Sequence, residues 1–267
     1  MIRSLAARSL SARQKSSIRS IAYRLGGYRL RAVEQLVEDV VLHDGARSFL
    51  QIGANDGYRS DPINLAIFRH RLAGTFVEPQ PNYFAELQKT YRSFPGMAYV
   101  PCAVATEPGS MTMYSLDCSS GRLPGWAHGV GTLSREQIRK FGDQIADIDR
   151  YIRVQDVACI TVAELLRRAS HPDPDIVVVD AEGFDHAILS QFDFARLSAK
   201  LVIYETESMA AADAADLRRR LETAGFVLLD ADQDTVALRR DSATFRNKTR
   251  KTGELSFART GSGVEEA

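Results

Sequence analysis

The chain has 267 residues, 45% of them hydrophobic and 25% charged, which suits one sizeable α/β domain and excludes a disordered or disulfide-stapled chain. Its 34 basic and 34 acidic side chains cancel, so global charge gives no argument for a nucleic-acid partner. Cys102, Cys118 and Cys159 lack the spacing of a disulfide framework or a zinc site and point to the reducing cytoplasm, and no apolar run is long enough to cross a bilayer.

Residues 1–33 read as a basic leader. Arg3, Arg8, Arg13, Lys15, Arg19, Arg24, Arg29 and Arg31 precede the first acid, Glu34, with serines interleaved. This composition fits an organellar transit peptide. It also fits a basic amphipathic helix lying on anionic lipid through Leu5, Ile18, Ile21, Leu25 and Leu30, or a solvated leader. The sequence leaves all three open.

The folded domain spans 34–241. AVEQLVEDVVLHDG has the spacing of an amphipathic helix closing at Gly45, and RSFLQIG reads as a buried strand. DPINLAIFRHRLAG follows as a helix capped by Asp61, with Pro62 in its first turn and Gly74 at its end. TFVEP is a strand, NYFAELQKTYRSF a helix capped by Asn82, MAYVPCAVA a third strand and SMTMYSL a fourth. Residues 117–134, glycine-rich and holding the only tryptophan, break the rhythm and read as a lid or binding loop. Ser134 with Gln137 and Thr161 with Glu164 have capping-box spacing for the helices that follow. VQDVACI, DIVVVD and LVIYE are further strands, with helices over TVAELLRRA, EGFDHAILSQFDF and SMAAADAADLRRRLETAG, and FVLLDADQDTVALRR closes the domain as a hairpin. The alternation predicts a Rossmann-like, doubly wound, mostly parallel sheet with an antiparallel C-terminal hairpin. The tail 242–267 is polar and expected to be disordered.

In FLQIGANDG a buried strand delivers Gly53 at its carboxyl end, where open α/β sheets bind ligands. Gly53 and Gly57 permit tight turning and close backbone approach. Neither the GxGxxG seat of a diphosphate nor a GxxxxGK[ST] loop is present, and the loop carries Asn55 and Asp56 instead. An anionic side chain there repels phosphate and suits a cofactor bearing an ammonium and a sulfonium, such as S-adenosylmethionine. Glu78 ends the next strand, 25 residues after Gly53, where a carboxylate can accept from both ribose hydroxyls. Pro79 fixes the chain direction beyond it, and Ala103, at the end of the third strand, lies where an adenine would rest.

A third cluster, VVVDAEGFDHAIL, places Asp180 and Glu182 at the carboxyl end of a central strand, with Asp185 and His186 just beyond. These acids suit a general base acting on a hydroxyl, or hard-cation ligands together with Glu205; direct base catalysis is preferred and no metal site is predicted. In the lid, His128 reads as a solvated loop residue beside Trp126.

Taken in order, FLQIGANDGY, FVEPQP, CAVA, ITVAELL, DIVVVDAEGFDHAIL and LVIYETE resemble the FkbM family of S-adenosylmethionine-dependent methyltransferases, from about Phe49 to Glu207. The resemblance implies a class I methyltransferase fold and O-methylation of a hydroxyl on a sugar, glycan or natural product. It maps cofactor binding onto Gly53, Asn55, Asp56 and Glu78, and the family's acid–acid–glycine stretch onto Asp180, Glu182 and Gly183. Ala181 stands where a larger β-branched residue is usual. A nicotinamide-dependent oxidoreductase and a non-catalytic Rossmann-type binding module are the rival readings. Peripheral membrane contact would run through the leader, and nothing in the sequence sets the oligomeric state.

Overall fold

The protein is described here by a computed structural model covering residues 10–25 and 30–252. In chain order the first half holds α1 (Ala12–Arg24), α2 (Ala32–His43), β1 (Ser48–Ile52), α3 (Asn64–His70), β2 (Ala73–Val77), α4 (Pro81–Tyr91), β3 (Met97–Val100), β4 (Ala103–Val104) and β5 (Gly109–Leu116). There follow β6 (Gly131–Thr132), α5 (Arg135–Lys140), β7 (Ile152–Ile160), α6 (Val162–Arg168), β8 (Ile176–Val179) and α7 (Asp185–Leu189). The chain ends in β9 (Leu201–Glu205), α8 (Ala211–Thr223), β10 (Phe226–Ala231), β11 (Asp234–Arg239) and α9 (Ala243–Thr252).

The main sheet runs β10-β11-β9-β8-β1-β2-β3. Its five central and edge strands from β9 to β3 are parallel, and β11 inserts antiparallel between β9 and β10. The apolar runs become parallel strands because both faces are covered, which leaves no room for polar alternation. Successive residues of β1 show this: Phe49 packs with α2 and α3 residues such as Val40 and Ile67, while Leu50 packs with Ile188 and Leu217 from the opposite layer. The result is the doubly wound, mostly parallel sheet with a C-terminal hairpin that the rhythm predicts.

Several local expectations are corrected. MAYVPCAVA is two strands: β3 stays in the main sheet, while β4 joins a separate sheet ordered β4-β7-β5-β6. β5 and β7 pair antiparallel over their length, so SMTMYSL and VQDVACI do not extend the central sheet. Between them, Leu116, Ala127, Val130, Ile138, Ile145 and Ile148 form a small core of their own, so 117–134 is part of a packed cap. Asp61 accepts from the Ile63 and Asn64 amides at 2.8 and 2.9 Å and so opens α3, which closes at Arg71 in the left-handed region, with Gly74 already inside β2. Pro81, not Asn82, starts α4, since its missing N–H is no loss in a first turn.

The leader and the tail also differ from expectation. Residues 12–24 form α1, which packs across α3 and α4 and buries Ser16 and Ser20, so this stretch is not a solvated leader; residues 1–9 lie outside the described residues. At the other end, α9 is anchored where the Asp44 carboxylate accepts from the Ala243 and Thr244 amides, and Phe245 packs on the core. The expected disorder therefore does not hold for 243–252, and residues 253–267 lie outside the described residues.

Candidate functional site at the carboxyl rim of the sheet

The order of the parallel strands reverses at β1, which has β2 on one side and β8 on the other, and a crevice opens at such a reversal beyond the strand ends. Gly53 follows β1, Glu78 follows β2, Asp180 follows β8 and Glu205 ends β9, so four separate strands deliver their residues to one rim. They line a cavity of about 2450 Å3, larger than one small ligand needs and roomy enough for two reactants side by side.

Gly53 has φ +80°, and its backbone lies so close to β8 that a Cβ would fall 1.7 Å from the Asp180 carbonyl oxygen. Asn55, two residues on, also has a positive φ of 48°. Its amide donates to Glu78 Oε2 at 2.8 Å, while the Gln80 amide donates to Oε1 at 2.8 Å. The carboxylate of Glu78 is thus oriented by backbone on both oxygens, each with a further lone pair to offer a ligand. Burial pushes its pKa up to about 7, against the pull of the Gln80 and Asn55 amides.

The cap is fastened to this wall. Asn55 Nδ2 donates to the His128 carbonyl at 3.3 Å, and Gln80 Nε2 donates to the Gly129 carbonyl at 2.8 Å. A Cβ on Gly129 would overlap the Asn55 amide group, so glycine is what lets the cap approach. His128 lines the cavity with Trp126, and burial lowers its pKa.

Gly53, Asn55, Glu78, Pro79 and Ala103 all line the cavity; Asp56 and Gly57 do not. Asp56 turns inward: Oδ1 accepts from the Tyr58 and Arg59 amides, and Oδ2 pairs with Arg59 Nη1 at 2.7 Å. Its charge is matched within its own turn, so it does not face a cationic cofactor. Gly57 presents its carbonyl to Asn64 Nδ2 and the Tyr91 hydroxyl, and a Cβ there would strike Tyr91 and Leu87. Both positions shape the loop.

Gln51 escaped the sequence reading, and Asp61 was read only as a cap. The two are 4% and 3% exposed and both line the cavity; Gln51 Oε1 has no hydrogen-bond partner, while the Gln51 side chain helps hold the Asp61 charge. A buried unpaired acceptor is costly, so it marks a place for a donor to arrive. The signal was one polar side chain inside the otherwise apolar run of β1.

Burial raises the Asp61 pKa from 3.8 to about 6, opposed by the Ile63 and Asn64 amides and by Arg19. An acid with a raised folded pKa binds its proton more tightly when folded, so ionising it costs stability above pH 6 and nothing below about pH 4. Asp61→Asn keeps the oxygen that opens α3 and removes that cost. We expect urea unfolding to show a gain of up to about 3 kcal/mol at pH 8 that vanishes near pH 4. An equal effect at both pH values would contradict it.

Across the cavity stands an acidic wall of Asp180, Glu182, Glu205, Glu207, Asp232 and Asp234. Burial and then Asp234 push Asp180 up to about 6. Burial, then Asp180 and Glu205, push Glu182 well above the usual carboxylate range. Glu205 is raised to about 7 by burial and then by Asp180. Glu182 sits at φ +48°, and its carbonyl accepts from the Thr132 hydroxyl of the cap at 2.8 Å. Asp185 is buried and turns back to the Ala181 amide, and His186 pairs with Asp216, so neither lines the cavity. Among the described residues no group of three or more His, Cys, Asp or Glu side chains is arranged to hold a metal ion. Cys102 lines the cavity as a buried thiol raised to about 11, mainly by burial, which keeps it un-ionised.

A protein-family model described as "Methyltransferase FkbM domain" matches residues 51–228, well over half of the chain. A search of curated proteins finds no match. Among solved structures, cofactor-bound Rv0187 from MTB is 14% identical, with 90% of this chain and 96% of that chain covered and a TM-score of 0.42. An O-methyltransferase from Bacillus cereus in complex with SAH is 11% identical, covering 85% and 90% at a TM-score of 0.37. Precorrin-6y C5,15-methyltransferase from Geobacter metallireducens GS-15 is 12% identical, covering 78% and 87% at 0.37. Likenesses this distant add nothing to what the strand order shows.

Proposed function

The chain belongs to the FkbM family of S-adenosylmethionine-dependent methyltransferases, and from that premise we propose that it methylates a hydroxyl oxygen of a sugar, glycan or natural product at the rim of β1, β2 and β8. The observation that carries the cofactor placement is Glu78, a buried carboxylate whose two oxygens are held by backbone amides beside Gly53.

The residues fit this cofactor. Glu78 would accept from the ribose hydroxyls, Gln51 Oε1 with the Asp61 carboxyl beside it would face an ammonium group, and Cys102 with Ala103 gives an apolar surface for a base. When bound, the cofactor supplies an electrophilic sulfonium methyl group, and the electron pair of the broken C–S bond stays on sulfur. The chain's own work is to align the acceptor oxygen, exclude water and take the acceptor's proton. Asp180 suits the last task. Its side chain is open to the cavity, and its pKa of about 6 leaves it ionised at neutral pH, whereas burial and the neighbouring Asp180 and Glu205 disfavour charge on Glu182.

Titration calorimetry tests the cofactor half. We expect S-adenosylmethionine and its demethylated product to bind, and Glu78→Ala to weaken both by at least about tenfold. Affinity should rise with pH through about 7, because the ionised carboxylate of Glu78 is the better acceptor. No heat with either ligand would refute the reading. Incubating candidate hydroxyl acceptors with labelled cofactor and weighing the products tests the acceptor half.

A further inference from the structure

Helix α1 has one face turned inward and an unusual face turned out. Ser16 and Ser20 are buried against the domain, while Ile18, Ile21 and Leu25 are 52%, 55% and 80% exposed. At 3.6 residues per turn these three form a single stripe opposite the serines. Arg13 and Arg24 flank the stripe on one side and Lys15 and Arg19 on the other, and the helix holds no acid. Arg19 is matched by Glu34, Arg13 donates to Ser93 and Lys15 lies half-buried over the Tyr58 ring at 5.8 Å, which leaves Arg24 as the exposed base of the element. The sequence before it adds Arg3 and Arg8 and no acid.

A stripe of large apolar side chains bordered by bases matches an anionic lipid surface in both chemistries: the apolar groups enter the acyl boundary and the bases stay at the headgroups. A protein partner would have to supply acids around an apolar groove. A bilayer of anionic lipid supplies both features everywhere. No helix among the described residues is long and apolar enough to cross a membrane, so contact would be peripheral. The cavity also opens beside this face. Lys15, Ile18 and Ala22 line it from α1 and Leu10 from just before it, and Trp126, 44% exposed, lines it from the cap.

We propose that α1 docks on an anionic bilayer through Ile18, Ile21 and Leu25, with the mouth of the cavity, marked by Trp126, turned toward the lipid. An acceptor carried on a lipid would then reach Asp180 without leaving the surface; this consequence alone rests on the methyl-transfer reading.

The test uses the full chain and no methyl-transfer assay, so it stands or falls apart from that reading. Wild-type protein should sediment with vesicles of mixed phosphatidylcholine and phosphatidylglycerol, be released by high salt, and ignore pure phosphatidylcholine. Ile21→Glu with Leu25→Glu, whose fold is checked by circular dichroism, should bind at least about tenfold less. Leu25→Glu alone, at the most exposed position, is the variant least able to disturb folding. Trp126 is the only tryptophan, so brominated acyl chains should quench the protein's emission on binding. Failure to sediment, or unchanged binding by a folded variant, overturns the docking. Bound protein with unquenched Trp126 overturns the orientation. A wild-type dimer that the double variant dissociates, without vesicle binding, assigns the stripe to a second copy and overturns the proposal.

Discussion

Replacing Gly53 by alanine is expected to destabilise the fold by more than about 4 kcal/mol, a loss reserved for a few severe mechanisms. The cost has two parts. At φ +80° an L side chain is strained by roughly 1–2 kcal/mol. The new Cβ would also lie 1.7 Å from the Asp180 carbonyl oxygen and 2.8 Å from its carbon, and these are backbone atoms that cannot swing aside. Asp180 is itself held by its amide to the Ile52 carbonyl at 3.0 Å, so relief requires parting β1 from β8 where the rim is built. Gly45 provides the control. It too has a positive φ, of 69°, but a Cβ there meets nothing within 4 Å, so Gly45→Ala should cost only the strain, roughly 1–2 kcal/mol. Urea unfolding of the two variants separates packing from conformation. Near-equal losses would mean that the close approach of β1 and β8 is not what glycine serves.

This pair of strands also shows what a linear reading can reach. β1, β2, β8 and β9 were legible because each is a short apolar run ended by a glycine or an acid, and their carboxyl ends must share one rim in any parallel sheet. The second sheet was not. β5 and β7 meet across a long insertion, and each carries exposed residues along part of its length, so neither has the signature of a buried strand. A helix at α1 was one of three open readings of the leader, but its packing on the domain was hidden for a related reason: the face it buries is serine, and hydrophobic periodicity cannot register a polar interface. At the site, Glu78 was visible from its distance to Gly53. The inward turn of Asp56 was not, because an Asx turn and a ligand-facing acid read alike in a loop. Gln51 was not singled out, although a polar side chain between Leu50 and Ile52 in a buried strand has to find a partner.

Asp180→Asn should lower the turnover rate by about 10²–10⁴-fold while leaving cofactor affinity unchanged within about twofold, the separation that identifies a group acting on the acceptor's proton. The substitution is nearly isosteric, and the Asp180 amide and carbonyl that meet Ile52 and Gly53 are untouched, so the rim keeps its shape. What disappears is a rim carboxylate that combines an exposed side chain with a pKa of about 6. The bond changes balance around it: the acceptor oxygen forms the new bond to the methyl carbon, the old bond's electrons leave on sulfur, and the proton passes to the carboxylate. A base of this pKa gives the wild type a rate that rises with pH through about 6 and then levels off, and the variant should lose that rise. Glu182→Gln supplies the contrast. Burial, then Asp180 and Glu205, hold Glu182 well above the carboxylate range and so disfavour its charge, and removing its ability to ionise should cost far less than the change at Asp180. Burial and Asp234, not Glu182, raise Asp180, so the rise near pH 6 should stay in place in that variant. An Asp180→Asn enzyme with its rate intact, or a pH profile still rising near 6 in that variant, would take the proton-transfer role away from Asp180 and leave it as the carbonyl against which Gly53 packs.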